Sequence, residues 1–223
     1  RKAIELNPNY AEAHSNLGSI FSDLGKLEEA EISTRKAIKL NANSPDIYLN
    51  LGSILIDLGN LKEAEIYTRK SIELKPNSAI AHANLGGILN DLGKSKEAEI
   101  YTRKAIEIQP DLAEAYYSIG CTLQDLGESY DAIDCYKKAI EFNNEFSSAK
   151  SRLIKCKGNI CDWSDQKTQN IWLKKLGIEG SSVYPLGLFY YEDNPLKQLQ
   201  RAKNLFKEKY YVKSQKIDTL TNK

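Results

Sequence analysis

An all-α solenoid of stacked helix pairs is the fold this sequence predicts, and three observations predict it. The first is a period of 34 residues that returns similar residues in register over 11–44, 45–78, 79–112 and 113–146. The second is the layout of each unit: two runs with apolar residues at helical intervals, separated by Gly25, Gly59, Gly93 or Gly127. Glycine is favoured just past a helix end, where a left-handed backbone strains any residue bearing a Cβ. The third is a set of small residues, Gly18, Gly52, Gly86 and Gly120 at position 8 and Ala30, Ala64, Ala98 and Ala132 at position 20. They let the two helices of a pair approach closely. One pair cannot bury its apolar stripe alone, so stability has to come from stacking neighbours.

Residues 1–10 match the last ten positions of a unit whose beginning lies upstream, which makes them the C-terminal part of a truncated repeat. Leu17-Gly18, Leu51-Gly52, Leu85-Gly86 and Ile119-Gly120 then fill positions 7–8 of successive units, and Pro8, Pro76 and Pro110 fill position 32. This pattern resembles the tetratricopeptide repeat, which implies a right-handed solenoid. Leu, Ile and Phe at positions 7, 11, 14 and 28 are the expected filling between helices. The second helices carry Glu31/Arg35, Glu65/Arg69 and Glu99/Arg103 four residues apart, each pair worth about 0.2–0.5 kcal/mol. After residue 146 the period stops. Residues 147–159 keep Ala149 and Leu153 at positions 3 and 7 and predict a closing helix. Residues 160–223 form a C-terminal extension, with a helix over about 165–176 and another opening at Asn194-Pro195. Leu196, Leu199, Leu205 and Phe206 are expected to form its apolar face. The aromatic stretch 181–191 is expected to dock against the closing helix or a neighbour, and 213–223 to fray.

Composition narrows the function classes. Residues 1–146 carry a formal charge of −7 and residues 147–223 one of +8. A basic tail can meet nucleic acid, anionic lipid or an acidic protein, or it can be a solvated helical surface. The charges are dispersed, with no basic block interleaved with aromatics, so neither nucleic acid nor membrane is expected as a partner. Apolar stretches fall short of the 18 or so residues of a membrane helix, no signal peptide is visible, and a cytoplasmic location is expected. Cys121, Cys135, Cys156 and Cys161 lack metal-ligand spacing and read as buried, reduced thiols. His14 and His82 share position 4 in alternate repeats and read as packing residues, with no metal site. No nucleophile–base pair or phosphate-binding glycine loop is present, so the chain as given is expected to be no enzyme and to need no cofactor.

The candidate site lies on the first helices. Positions 2, 6, 9 and 13 share one stripe, because steps of four, three and four residues return to the same side. Position 6 holds Asn16, Asn50 and Asn84, with Ser118 in the fourth unit; position 13 holds Asp23, Asp57, Asp91 and Asp125. An asparagine amide offers both donors and an acceptor, so one per repeat makes a ladder able to hold the backbone of an extended peptide. The aspartates would favour Lys, Arg, Ser or Thr side chains on that peptide. Two other readings stay open: the asparagines could bond to the neighbouring repeat, and the aspartates to the following turn. Repeats that capture an acidic chaperone terminus need Lys and Arg here, and this stripe excludes that option.

The junction after the repeats runs Cys161-Asp162-Trp163-Ser164-Asp165, a helix, Tyr184-Pro185-Leu186 and a Gln/Ala/Arg-bearing helix. It resembles the O-linked N-acetylglucosamine transferase family, including the plant SPINDLY-type proteins. The resemblance implies that Asn16, Asn50 and Asn84 are ladder positions holding a protein substrate, with Ser118 a departure. It also implies that catalytic lobes would follow in a longer parent, a nucleotide-sugar-dependent protein O-glycosyltransferase. The function expected is therefore a protein–protein interaction solenoid recruiting substrates in its concave groove. The alternative is a free-standing scaffold for protein assembly unrelated to glycosylation.

Overall fold

The computed structural model describes residues 2–179, 182, 183, 188, 192 and 194–209. Among these residues lie twelve α-helices and no strand. After α1 (Lys2–Leu6) come the pairs α2 (Ala11–Asp23) with α3 (Leu27–Leu40), α4 (Pro45–Asp57) with α5 (Leu61–Leu74), and α6 (Ala79–Asp91) with α7 (Ser95–Ile108). Then follow α8 (Ala113–Asp125), α9 (Ser129–Phe142), α10 (Ser147–Asn159), α11 (Gln166–Leu173) and α12 (Pro195–Lys209). This is the all-α solenoid of tandem helix pairs that the period predicts. The chain divides into two compact units, residues 1–122 and 123–223, so the division falls inside α8.

In the first unit the turn glycines take the conformation expected of them. Gly25, Gly59 and Gly93 have φ of 70°, 79° and 75°. The residue after each closes the helix end: Lys26, Asn60 and Lys94 donate their backbone N–H to the carbonyls of Phe21, Leu55 and Leu89, each at 2.8 Å. That bond satisfies a carbonyl the helix would otherwise leave open. Close approach at position 8 is equally specific. A Cβ on Gly86 would lie 3.2 Å from the Ala98 carbonyl oxygen and collide with the Thr102 side chain. Leu51, Leu55, Leu85, Ile88 and Leu89 are buried between the pairs. Position 14 departs from expectation in the first repeat. Leu24 is 63% exposed, whereas Leu58 and Leu92 pack against the core of the middle repeats.

Two sequence expectations for the buried polar residues need refining. His14 and His82 are buried, and each also bonds through Nε2 to a loop carbonyl, of Pro8 and Pro76, at 2.9 Å. They tie each first helix to the turn before it. None of the four cysteines is in a disulfide, but only Cys156 is buried; Cys121 and Cys135 are half-buried and Cys161 is exposed. Cys161 sits at φ 56°, in the left-handed turn that ends α10, and a turn of that kind lies at the surface. Burial pushes the Cys156 thiol above its ordinary range.

In the second unit α9 packs on α10, and Ile154, Leu173, Leu176, Val183 and Leu188 form one apolar cluster. Asn194 caps α12 as expected, its Oδ1 accepting the Lys197 N–H at 3.1 Å. Leu205 is buried as expected, but the rest of the face that α12 buries is not the expected one. Leu196, Leu199 and Phe206 are 79%, 51% and 52% exposed, while Gln198, Arg201 and Leu205 are buried. Electrostatics explains the inversion. The Arg201 guanidinium donates to the carbonyls of Leu176 at 2.8 Å and Leu173 at 2.5 Å, at the open C-terminal end of α11, and pairs with Glu192 at 2.8 Å. Carbonyls left without helical partners attract a cation. Lys157, also buried, pairs with Asp165 at 2.5 Å and Asp162 at 3.1 Å and so braces the Cys-Asp-Trp-Ser-Asp turn. Tyr184, Pro185, Leu186 and the tail 213–223 lie outside the described residues.

Candidate interaction surface on the first helices

The stripe at positions 2, 6, 9 and 13 faces away from the packed core on each first helix of the first unit. On α2, Glu12, Asn16 and Asp23 are exposed; on α4, Asp46, Ser53 and Asp57 are exposed and Asn50 half-buried. On α6, Ile80 and Asp91 are exposed and Asn84 is half-buried. Interior positions between them, such as Leu51, Leu55, Leu85 and Leu89, point the other way and lock the helices in place. The face is thus rigidly backed and rich in amide and carboxylate groups. In the second unit Asp125, at the end of α8, is likewise exposed.

Two of the asparagines bond to serines of the preceding repeat. Asn50 donates its Nδ2–H to Ser15 Oγ at 3.0 Å and to Ser19 Oγ at 3.4 Å, both in the preceding repeat. Asn84 repeats the arrangement one unit on, donating to Ser53 Oγ at 3.3 Å. Ser118 stands where the pattern would place a fourth asparagine, and the corresponding acceptor in the preceding repeat is Gly87, which has no hydroxyl. Asparagine therefore occurs after a serine, and serine after the glycine. The bonds link adjacent first helices and orient the two amides, with an Nδ2–H of each directed to the preceding repeat. Sequence reasoning missed Ser15, Ser19 and Ser53 as partners of the row, although columns 6 and 9 change together and carry the signal.

The aspartates close the stripe at the C-terminal ends of α2, α4, α6 and α8. Negative charge at a helix C-terminus is mildly opposed by the macrodipole. In the first unit Asp23, Asp57 and Asp91, together with Glu12, Asp46 and Glu114, make the face anionic.

A second set of bonds, between second helices, holds the stack in register. Arg35 donates Nε–H to Glu31 at 2.7 Å within its helix, then reaches the next repeat, meeting Glu63 at 2.6 Å and Tyr67 Oη at 2.8 Å. Arg69 does the same with Glu65, Glu97 at 2.6 Å and Tyr101 Oη at 2.8 Å. The Lys94 ammonium bonds to the other oxygen of Glu65 at 2.8 Å and, together with Arg69, holds that carboxyl below its usual range. Among the described residues no group of three or more His, Cys, Asp or Glu is arranged to hold a metal, and no helix is long and apolar enough to cross a membrane.

Tetratricopeptide-repeat patterns match residues 1–32, 45–78, 79–112 and 113–146, together more than half of the chain. No curated protein sequence matches. Among solved structures, MamA is 28% identical, covering 65% of this chain and 84% of its own, with a TM-score of 0.56. YrrB, described as a tetratricopeptide protein with an unusual peptide-binding site, is 20% identical over 91% of this chain and 96% of its own, with a TM-score of 0.56. PilF of Pseudomonas aeruginosa is 16% identical over 94% of this chain and 96% of its own, with a TM-score of 0.66.

Proposed function

The chain belongs to the tetratricopeptide-repeat family, and from that premise we propose that it is a protein-interaction scaffold whose first-helix face binds extended polypeptide. In this reading 11–44, 45–78, 79–112 and 113–146 are the repeat units, and Asn16, Asn50, Asn84 and Ser118 run along the ligand backbone. The observation that carries it is the tethering of Asn50 and Asn84 to serines of the preceding repeat. A tethered amide is pre-oriented, so its carbonyl oxygen can accept a peptide N–H with little further loss of side-chain entropy. The anionic row of Asp23, Asp57, Asp91 and Asp125 selects ligands with Lys, Arg, Ser or Thr side chains. The peptide site named for YrrB fits the same reading.

The proposal extends to a parent protein. On the Cys161–Asp165 junction, the chain reads as the cytoplasmic, substrate-recruiting part of an O-linked N-acetylglucosamine transferase-like protein glycosyltransferase. Tyr184, Pro185 and Leu186, which share in that resemblance, fall outside the described residues. The competing reading is a free-standing scaffold in which the asparagines only brace the stack. The same Asn50 and Asn84 bonds favour it, because they already give both side chains a structural use.

Changing Asn16, Asn50 and Asn84 together to alanine separates the two. Each lost neutral hydrogen bond is worth roughly 0.5–1.5 kcal/mol, so a ligand-binding row loses about one to three orders of magnitude in affinity. Binding of an unstructured Ser/Thr/Lys-rich peptide library and circular-dichroism melting are measured on the same variant. Weakened binding with a small melting shift supports the proposal; a large melting loss, or unchanged binding, gives the row to bracing.

A further inference from the structure

The third repeat breaks the pattern of the first-helix face at two positions. Position 2 carries an acid in the first turn of the other first helices: Glu12 on α2, Asp46 on α4 and Glu114 on α8. On α6 it carries Ile80, 52% exposed, and that first turn holds no acid. The macrodipole favours an acid there, so α6 forgoes that contribution and leaves apolar surface in water. Position 9 departs as well. Ser19, Ser53 and Cys121 give the other helices a side chain, and Gly87 gives α6 none. A Cβ on Gly87 would meet only Ser118 Oγ, at 3.9 Å, so the space beside it is open.

The two departures adjoin. A helical side chain covers the surface over the turn before its own Cα, so the side chain missing at Gly87 bares the surface beside Asn84, one turn from Ile80. Asn84 is held by its bond to Ser53 of the preceding repeat. Around this apolar seat the charge has one sign. None of α2, α4, α6 and α8 contains a lysine or an arginine. Glu12, Asp46 and Glu114 are exposed, and none has a cationic partner among the described residues. Asp46 belongs to the repeat before Ile80 and Glu114 to the repeat after it. Such a face repels nucleic acid and anionic lipid and attracts a basic segment.

We infer that the partner is a basic extended segment carrying one large apolar residue, which sits on Ile80 in the space left by Gly87. Lysine or arginine residues on either side of it face Asp46 and Glu114. The inference rests on the first-helix reading proposed above and adds to it a register and a chemical pattern. The pattern selects in two ways. A ligand with a charge in place of the apolar residue sets that charge against Ile80, where no group pairs with it. A ligand with acids in place of the flanking bases is repelled by Asp46 and Glu114. Ile80 and Gly87 are thus the specificity-determining residues of the face.

The probes are three unstructured Gly/Ser-based peptides: a central leucine flanked by arginines, a central arginine flanked by arginines, and a central leucine flanked by glutamates. By fluorescence anisotropy the protein should bind the first about tenfold more tightly than either of the others. Ile80→Glu restores the acid of the other repeats and should reverse the preference, so that the central arginine is favoured over the central leucine. Gly87→Ser restores the side chain of Ser19 and Ser53 and should weaken binding of the first peptide alone. Both sites are on the surface, and circular-dichroism melting of each variant should match the parent. Equal affinity for the two arginine-flanked peptides overturns the inference and leaves the first-helix reading standing. A preference for the central leucine that survives Ile80→Glu overturns it in the same way. Binding of none of the three overturns both.

Discussion

Arg69→Ala should cost this protein far more stability than Arg103→Ala, although both arginines close the same four-residue spacing from a glutamate. Arg69 pairs with Glu65 and Glu97, bonds to Tyr101 Oη, and lies 5.3 Å from the centroid of that ring. Its side chain is 35% exposed, so each ion pair is discounted to about 0.5 kcal/mol. The tyrosine bond adds roughly 0.5–1.5 kcal/mol and the ring contact about 0.5–1 kcal/mol. The loss for Arg69→Ala is therefore about 2–3.5 kcal/mol. Arg103 pairs with Glu99 of its own helix and is 59% exposed, which is worth only about 0.3–0.5 kcal/mol. The change in helix propensity is the same at both sites and cancels in the comparison. Equilibrium urea unfolding followed by circular dichroism measures both. A Tyr101→Phe partner variant should show about 0.5–1 kcal/mol of coupling to Arg69 in a double-mutant cycle. Equal losses at the two arginines, or no coupling to Tyr101, would refute the claim that these bonds clamp one repeat to the next.

Two neighbouring glycines should respond with opposite signs. Gly86→Ala drives a methyl group into Thr102 and to 3.2 Å from a backbone oxygen, and should lower stability by about 1–3 kcal/mol. Gly87→Ala meets only Ser118 Oγ at 3.9 Å, and should raise stability by up to about 1 kcal/mol through helix propensity; thermal melting of the pair checks both. The Ser164 backbone N–H, its hydroxyl and the Lys157 ammonium pull the Asp162 carboxyl down to about 2. A carboxyl lower in the folded state than its unfolded value of about 3.9 contributes stability above that value and loses it as the pH falls toward 2. Both tryptophans, Trp163 and Trp172, lie in the second unit. Their fluorescence on denaturant unfolding should therefore show the parent losing its advantage over Asp162→Asn between about pH 4 and pH 2.

The parts of this molecule legible in its sequence are those that recur. Gly25, Gly59, Gly93 and Gly127 end helices at positive φ because the same local chemistry is written four times, and Gly86 faces a carbonyl because position 8 is small in every repeat. The Glu31–Arg35 and Glu65–Arg69 pairs were visible for the same reason. Their continuation to Tyr67 and Tyr101 was not, since it depends on which columns of adjacent repeats face each other. The asparagine row was legible as a row, but its bonds to Ser15, Ser19 and Ser53 needed the stacking geometry. In the extension nothing repeats, and the apolar pattern misled. Arg201 turns inward because the end of α11 presents unsatisfied carbonyls, and Leu196 and Leu199 are left in water. A hydrophobic pattern cannot register a backbone end elsewhere in the chain.

The most direct test of the proposed function is to map where an extended peptide sits. Amide chemical shifts of the isotope-labelled protein are followed while an unstructured Ser/Thr/Lys-rich peptide is titrated in. The proposal predicts that the largest changes fall on α2, α4 and α6 around Asn16, Asn50 and Asn84 and around Asp23, Asp57 and Asp91, with the second helices little affected. Changes centred on α3, α5 and α7, or none at peptide concentrations well into the millimolar range, would contradict it.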